Sequence, residues 1–308
     1  MLFYTYMERT LIGDLGAHIG ETVSVRGFVD VRRDQGKMVF FDFRDRSGYV
    51  QGVVLPGSDA LEVAKETRQE FAVKVEGIVN KRPEKNVLAG KQNGDIELEV
   101  TGIKILGKAD PLPFDMSAEG FNLELVTQLD HRALVLRHPR LRAIFKVQNT
   151  IIDSFREYMK QNDFFEFQAP TITPATAEGG AEVFKIDYFD KKAYLSQSPQ
   201  LYKQIVMTAF ERVFSVNKIF RAEPSATTRH LTEVVSLDAE MAFIDSWKDV
   251  RDMSEATVRF ILTKLTATCE KELELLESTL PVMIEYTPTL ALTEAQEKIF
   301  AETKRDVR

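Results

Sequence analysis

The stretch Phe220-Arg221-Ala222-Glu223-Pro224-Ser225-Ala226-Thr227-Thr228-Arg229-His230-Leu231-Thr232-Glu233, continued by Leu237-Asp238-Ala239-Glu240-Met241, decides how the second half of the chain folds. Strand-like runs around residues 212–222 and 234–244 flank a turn from Pro224 to Thr228, so the segment reads as strand, turn, strand. Two arginines, a histidine and a set of carboxylates ride on that scaffold. Taken alone, such a string means a hairpin with a solvated, charged turn. Its surroundings supply a second meaning.

Upstream, Ala177-Glu178-Gly179-Gly180-Ala181-Glu182 precedes Leu195-Ser196-Gln197-Ser198-Pro199-Gln200-Leu201-Tyr202-Lys203-Gln204. A helix is expected over residues 199–208. Gln200 and Lys203, three apart, share one of its faces and can converge on a small ligand. Each alone is an ordinary polar residue on a helix surface. Farther upstream, Leu141, Ile144, Phe145, Val147, Ile151, Ile152, Phe155 and Tyr158 recur at helical spacing over residues 139–161. That helix runs into a strand over residues 164–172, broken by Pro170. Downstream, residues 249–277 read as one long helix and residues 293–308 as a last one.

The first third has a different texture. Val23, Val25, Gly27, Val29 and Val31 alternate with polar or bulky neighbours, as do Val39, Phe41 and Phe43, and three more strands follow by residue 106. A helix over residues 59–69 interrupts them between the third and fourth strands. Five strands with a helix at that point suggest a small closed barrel of the OB type, although a five-stranded sandwich fits the same pattern. Alternation turns Phe41 and Phe43 inward and leaves Phe40 outward beside Asp42 and Arg44. An outward aromatic there is a platform for an unpaired base, whereas single exposed aromatics are common. The organisation expected is an all-β barrel over residues 1–108, a Pro- and Gly-containing hinge over 109–138, and an α+β domain over 139–308.

Composition narrows the class. With 44% apolar and 28% charged residues, 308 residues suffice for two cores. A single cysteine, Cys269, excludes a disulfide framework or a zinc site built on paired cysteines and fits a reducing cytoplasm. The opening apolar residues are too few for a signal peptide, and no run approaches a membrane span. A net charge of −7 argues against coating nucleic acid by bulk electrostatics but leaves room for a local RNA-binding face.

On these residues the chain resembles the class II aminoacyl-tRNA synthetases, and more closely the aspartyl-tRNA synthetases. The stretch Phe220 to Glu233 is similar to their motif 2; the helix from Leu141 with Phe165-Glu166-Phe167-Gln168-Ala169-Pro170 resembles motif 1; Arg33-Asp34-Gln35-Gly36, Phe40, Arg44-Asp45-Arg46 and Gly48-Tyr49-Val50-Gln51 resemble the anticodon-binding barrel. The resemblance implies an antiparallel sheet flanked by helices in the second domain. It also implies an ATP site in which Arg221 contacts the α-phosphate and Glu223 accepts from the adenine amino group. Arg229 and His230 would lie near the γ-phosphate, with Leu231 beside them. It assigns Lys203 to the side-chain carboxylate of L-aspartate, and Glu178, Gln200 and Asp238 to its α-amino end. Phe40 would stack on the central anticodon base and Gln51 would bond its edge. The partners implied are tRNA(Asp), with tRNA(Asn) left open, and a second subunit joined through motif 1. Mg²⁺ would accompany ATP, its ligands expected in a later part of the family's chain.

The resemblance thins after Ile244. No GxGxxxR-like segment of the motif 3 kind occurs, and none of the sixteen glycines lies beyond Gly180. Val234 stands where many relatives carry a phenylalanine that stacks on adenine. Three readings follow: an aspartate–tRNA ligase represented by a chain incomplete at its C-terminus, a non-catalytic tRNA-binding paralogue, or an asparaginyl or asparagine-synthesising relative. Retention of Arg221, Glu223, Arg229, Gln200, Lys203 and Asp238 together favours the first.

Overall fold

This computed structural model describes residues 8–116, 122–176, 182–223, 231–285 and 287–304. The chain divides into two compact units, one ending at Asp115 and one beginning at Met116.

The first unit is built from β1 (Thr22–Asp34), β2 (Val39–Arg44), β3 (Tyr49–Val54), α1 (Leu61–Glu66), β4 (Ala72–Lys81) and β5 (Ile96–Gly107). The strands close in the order β1-β2-β3-β5-β4, with β4 also paired to β1, so the barrel has no free sheet edge and the sandwich alternative is removed. The 3₁₀ turn Ile12–His18 seals the interior with Ile12 and Leu15, which join Val25, Val29, Phe41, Phe43 and Leu98 in one core. Phe41 and Phe43 stack with ring centroids 5.2 Å apart. Gly52 leaves them room, since a Cβ there would come within 2.5 Å of the Phe43 ring.

Simple alternation fails at two places, Val31 and Arg44. A bulge between Val29 and Val31 shifts the register, so Val29 faces inward opposite Phe43 whereas Val31 pairs with the outward Asp42. Arg44, expected in solvent, is buried: its guanidinium donates to both Glu70 carboxylate oxygens at 2.5 and 2.6 Å and to Asp30 Oδ1 at 2.8 Å. Burial of a permanent cation is tolerable only with such pairing.

The second unit contains α2 (Leu125–Asp130), α3 (Arg132–Val135), α4 (Pro139–Gln161), β6 (Phe165–Glu166), β7 (Ile172–Thr173), β8 (Lys185–Tyr188), β9 (Lys191–Leu195), α5 (Gln200–Phe210), β10 (Arg212–Phe220), β11 (Glu233–Met241), α6 (Trp247–Thr268), α7 (Glu270–Leu275) and α8 (Leu292–Thr303). Helix α4 starts where the sequence places it: Pro139 occupies the first turn, and His138 Nδ1 accepts from the Arg140 N–H. The expected single helix over 249–277 is two. Cys269 leaves helical geometry at φ −123°, ending α6 and opening α7, and its thiol packs against the Thr150 hydroxyl of α4.

Strands β11, β10 and β6 form one sheet, and β7, β9 and β8 a second. The first is mixed, not wholly antiparallel, because β6 runs parallel to β10. The long connection through β7 to α5 allows that return to the same end. Phe155 and Met159 of α4, Phe164 and Phe214 form the core beneath this sheet, with Phe155 and Phe214 edge to face at 5.6 Å. No helix among the described residues is long and apolar enough to cross a membrane.

Two outcomes are expected. Replacing Glu70 by Ala leaves buried Arg44 with Asp30 as its remaining carboxylate and lowers unfolding free energy by about 3 kcal/mol in urea titrations, the low end for a broken buried pair; an unchanged midpoint would show the pair to be idle. Burial, and then the Arg140 charge, depress the His138 pKa below its ordinary value. The folded state therefore binds its proton less readily than the unfolded chain. Stability is full above the unfolded value of about 6.5 and is lost as pH falls through the folded one. The variant His138→Asn keeps a capping side chain and flattens that part of the pH profile, as read from thermal midpoints.

Candidate functional site

The β10–β11 hairpin sets the geometry. Its register runs unbroken from Arg212 opposite Met241 to Phe220 opposite Glu233, and the Arg221 N–H continues it to the Thr232 carbonyl at 3.0 Å. Because faces alternate, Phe214, Val216, Leu237, Ala239 and Met241 turn to the helices. Ser215, Asp238 and Glu240 turn to the other face, and the same count carries Arg221 there. Pairing puts buried Ser215 opposite Asp238.

Helix α5 brings Lys203 onto that face. Its Nζ lies 3.6 Å from Asp238 Oδ1 and 3.3 Å from Glu240 Oε2, with the three side chains 13, 17 and 26% exposed. One ammonium is thus shared by two carboxylates, and Asp238 Oδ2 is buried without a hydrogen-bond partner among the described residues. An unsatisfied buried carboxylate oxygen is costly and is an acceptor ready for an incoming cation or N–H. Gln200 stands at the first position of α5, where the Ser198 hydroxyl accepts its N–H at 3.1 Å. A cavity of about 580 Å³ reaches from Lys203, Asp238 and Glu240 across the β11 edge to Met159, Met253 and Ile261.

The segment before α5 is tied to the hairpin. The Phe220 N–H donates to the Ser196 carbonyl at 2.8 Å and the Ala222 N–H to the Glu182 carbonyl at 3.1 Å, which also accepts from Gln197 Nε2 at 3.4 Å. These bonds fix the backbone that leads into Arg221 and Glu223. Arg221 is exposed and Glu223 half-buried. The six residue steps from Ser215 to Arg221 correspond to about 20 Å along the strand, so Arg221 and the lysine cluster stand at opposite ends of one face. Leu231 is 57% exposed. Glu178, Arg229 and His230 lie outside the described residues. Among the described residues no group of three or more His, Cys, Asp or Glu side chains could hold a metal ion. The described residues do not by themselves make a Mg²⁺ site.

On the barrel, Phe40 and Gln51 share the outer face of β2 and β3, where Asp42 pairs with Gln51 and Arg33 with Phe40. Both are half-buried. Arg33 makes a fork to Asp42 at 2.9 and 3.0 Å beside Phe40. Gln51 is held by Arg82, whose guanidinium donates to Gln51 Oε1 at 2.5 Å and to the Ile96 carbonyl at 2.8 Å. That leaves the Gln51 amide N–H groups facing outward as donors. Glu240, Gln197 and Arg82 join these sites through the fold. Period-two alternation from Asp238 was a signal for Glu240; Arg82 reaches Gln51 only through the fold.

Residues 124–308 match the family of class II tRNA synthetases (D, K and N), and residues 23–106 match an OB-fold nucleic acid binding domain. The chain is 38% identical over 298 residues to a protein of Deinococcus radiodurans named Aspartate--tRNA(Asp/Asn) ligase, covering 95% of this chain and 64% of that relative. It is equally 38% identical over 296 residues to the Asparagine--tRNA ligase of Desulforamulus reducens, covering 94% and 66%. The asparaginyl-tRNA synthetase from Pyrococcus horikoshii complexed with asparaginyl-adenylate superposes with a TM-score of 0.82 at 31% identity, over 96% of this chain and 68% of that one. The chain thus spans about two thirds of the length of such relatives.

Replacing Arg82 by Met removes three donated hydrogen bonds at once, to Gln51, to the Ile96 carbonyl and to the Asn86 carbonyl. It should cost about 1–3 kcal/mol of stability, read as a lower urea midpoint; an unchanged midpoint would show that Arg82 does not anchor this part of the barrel.

Proposed function

Because the chain belongs to the class II tRNA synthetases (D, K and N), we propose that it acts as an aspartate–tRNA ligase, activating L-aspartate with ATP and transferring it to the 3′ end of a tRNA. The observation that carries this reading is the Lys203 ammonium between Asp238 and Glu240 on one sheet face. Bound aspartate offers its side-chain carboxylate to Lys203 and its α-ammonium to Asp238 Oδ2, with Gln200 and Glu178 at the same end. Desolvation makes this pairing selective, since a neutral amide can accept from the lysine but does not supply the charge that a carboxylate sets against it.

The α-carboxylate attacks the α-phosphorus of ATP and expels pyrophosphate. Arg221 meets the charge that grows on the non-bridging oxygens, where a rigid guanidinium fork stabilises the transition state more than the ground state. Glu223 accepts from the adenine, with Arg229, His230 and Leu231 along the nucleotide. The 3′-hydroxyl of the terminal adenosine then attacks the mixed anhydride, and AMP leaves. Positioning supplies most of the rate, because no side chain forms a covalent intermediate. On the barrel, Phe40 stacks on an anticodon base and Gln51 bonds its edge; the tRNA is tRNA(Asp), and first-base contacts decide whether tRNA(Asn) is also charged. We assign the cytoplasm as its compartment and a homodimer through α4 as its assembly.

The equal identity to an asparagine--tRNA ligase supports a second reading, in which the same face takes asparagine. Lys203 weighs against it. ATP–pyrophosphate exchange on the intact gene product separates the two. Aspartate should support exchange and asparagine should not; Arg221→Ala should abolish it, and Lys203→Ala should lower kcat/KM for aspartate about 100-fold, equivalent to roughly 3 kcal/mol. Exchange with asparagine alone would transfer the assignment, and tRNA binding without exchange for either would make the protein a non-catalytic tRNA binder.

A further inference from the structure

The outer face of β1, β4 and β5 carries a second charged feature, on strands other than those that bear Phe40 and Gln51. Register aligns Arg26 with Lys74 and Lys74 with Lys104, three cations in one row across three hydrogen-bonded strands. Their neighbours Val25, Val75 and Ile103 pair on the inner face, so the row points outward. Strands about 4.8 Å apart put the three within roughly 10 Å. Like charges directly opposite each other destabilise a sheet. In the adjoining row, Ser24, Glu76 and Gly102 contribute one carboxylate, and it lies 2.6 Å from Lys74 Nζ. Arg9 adds a cation nearby, its guanidinium donating to the Arg26 carbonyl at 2.9 Å and lying 3.4 Å from Asp45 Oδ2.

The row on the other side is Phe28, Ala72 and Gly107. Phe28 is 43% exposed, flanked across the sheet by the two smallest residue types, so its ring meets solvent beside the cations. The Arg44 guanidinium lies 5.2 Å from the ring centroid. A positive track next to an exposed aromatic is the arrangement that holds single-stranded nucleic acid, phosphates on the cations and a base or sugar on the ring. It stands on a chain of net charge −7, so the local excess runs against the bulk.

We propose that this face is a second RNA-binding surface of the barrel, one that grips the sugar–phosphate backbone without reading sequence. The inference rests on the barrel alone and not on the ligase reading. It is tested by fluorescence anisotropy of the intact protein with a labelled 20-nucleotide oligouridylate and with a tRNA transcript, each over a salt series. Removing two phosphate contacts in Lys74→Gln/Lys104→Gln should flatten the log–log salt dependence for oligouridylate by about 1.4 and weaken binding about tenfold at moderate salt. Phe40→Ala should weaken tRNA binding and leave the salt slope unchanged. The double variant should melt at or above the wild-type temperature, since it relieves repulsion; if it does not fold, exposed Lys104→Gln alone should flatten the slope by about 0.7. An unchanged slope in a folded variant overturns the proposal, as does loss of binding to phosphatidylserine vesicles with RNA binding intact, which would give the face to an anionic lipid surface. A protein that shows the flattened slope yet fails ATP–pyrophosphate exchange would sink the ligase reading and leave this one standing.

Discussion

The register of the β10–β11 hairpin is the constraint on which the second unit depends. Side chains alternate with a period of two, so a slip of one residue would turn Asp238 and Glu240 into the apolar layer and bring Leu237 and Ala239 to the polar face. Phe214 prevents that slip. Fully buried against Phe155, Met159 and Phe164, it ties β10 to α4, and nine consecutive pairs carry the alignment to β11. Packing under the sheet thereby determines chemistry above it. Lys203 meets two carboxylates because α5 crosses the face that this register exposes.

The barrel solves a different problem. A small closed sheet has a limited interior, and Phe41, Phe43 and the surrounding valines fill it, leaving every charge to be handled outside. Arg44 shows how this is done. Covered on the outer surface, it is matched by Glu70 and Asp30 and lies against Phe28. Asp45 plays a similar part at the barrel's end: burial alone would raise its pKa, but hydrogen bonds from Ser47 and Ile12 more than offset it and hold the carboxyl below its ordinary value. That carboxylate pins the Ile12–His18 turn that seals the core.

The two units use charge in contrasting ways. In the second, an ammonium and two carboxylates neutralise most of each other while one buried oxygen is left over, an arrangement suited to a small zwitterion. On the first, three cations are lined up across three strands beside the Glu76 carboxylate, an arrangement suited to a polyanion. Neither pattern is explained by stability, since an apolar or neutral replacement would cost the fold little in either place.

Much of the architecture was legible in the chain because it follows from local periodicity. Residues 139–161 show helical spacing after a His-Pro start, and the structure begins and ends α4 at those residues. Five alternating runs with a helix after the third announced a barrel, and strand pairing closed it. Gln200 and Lys203 were visible as one helix face, and Asp238 as a carboxylate on a strand. What the chain could not disclose depended on contacts between distant residues. The bulge at Asp30 moved Val31 to the outside, Glu70 drew Arg44 out of solvent, and Cys269 broke the long helix by packing against α4. Glu240 as the nearer partner of Lys203, Arg82 as the anchor of Gln51 and the row Arg26, Lys74 and Lys104 emerge only when strands or helices remote in sequence are laid side by side. Sequence by itself determined which segments become helix or strand and which residue types stand ready for chemistry, because those depend on near neighbours along the chain. Tertiary structure alone decided which charges meet, because a charge finds its partner through space.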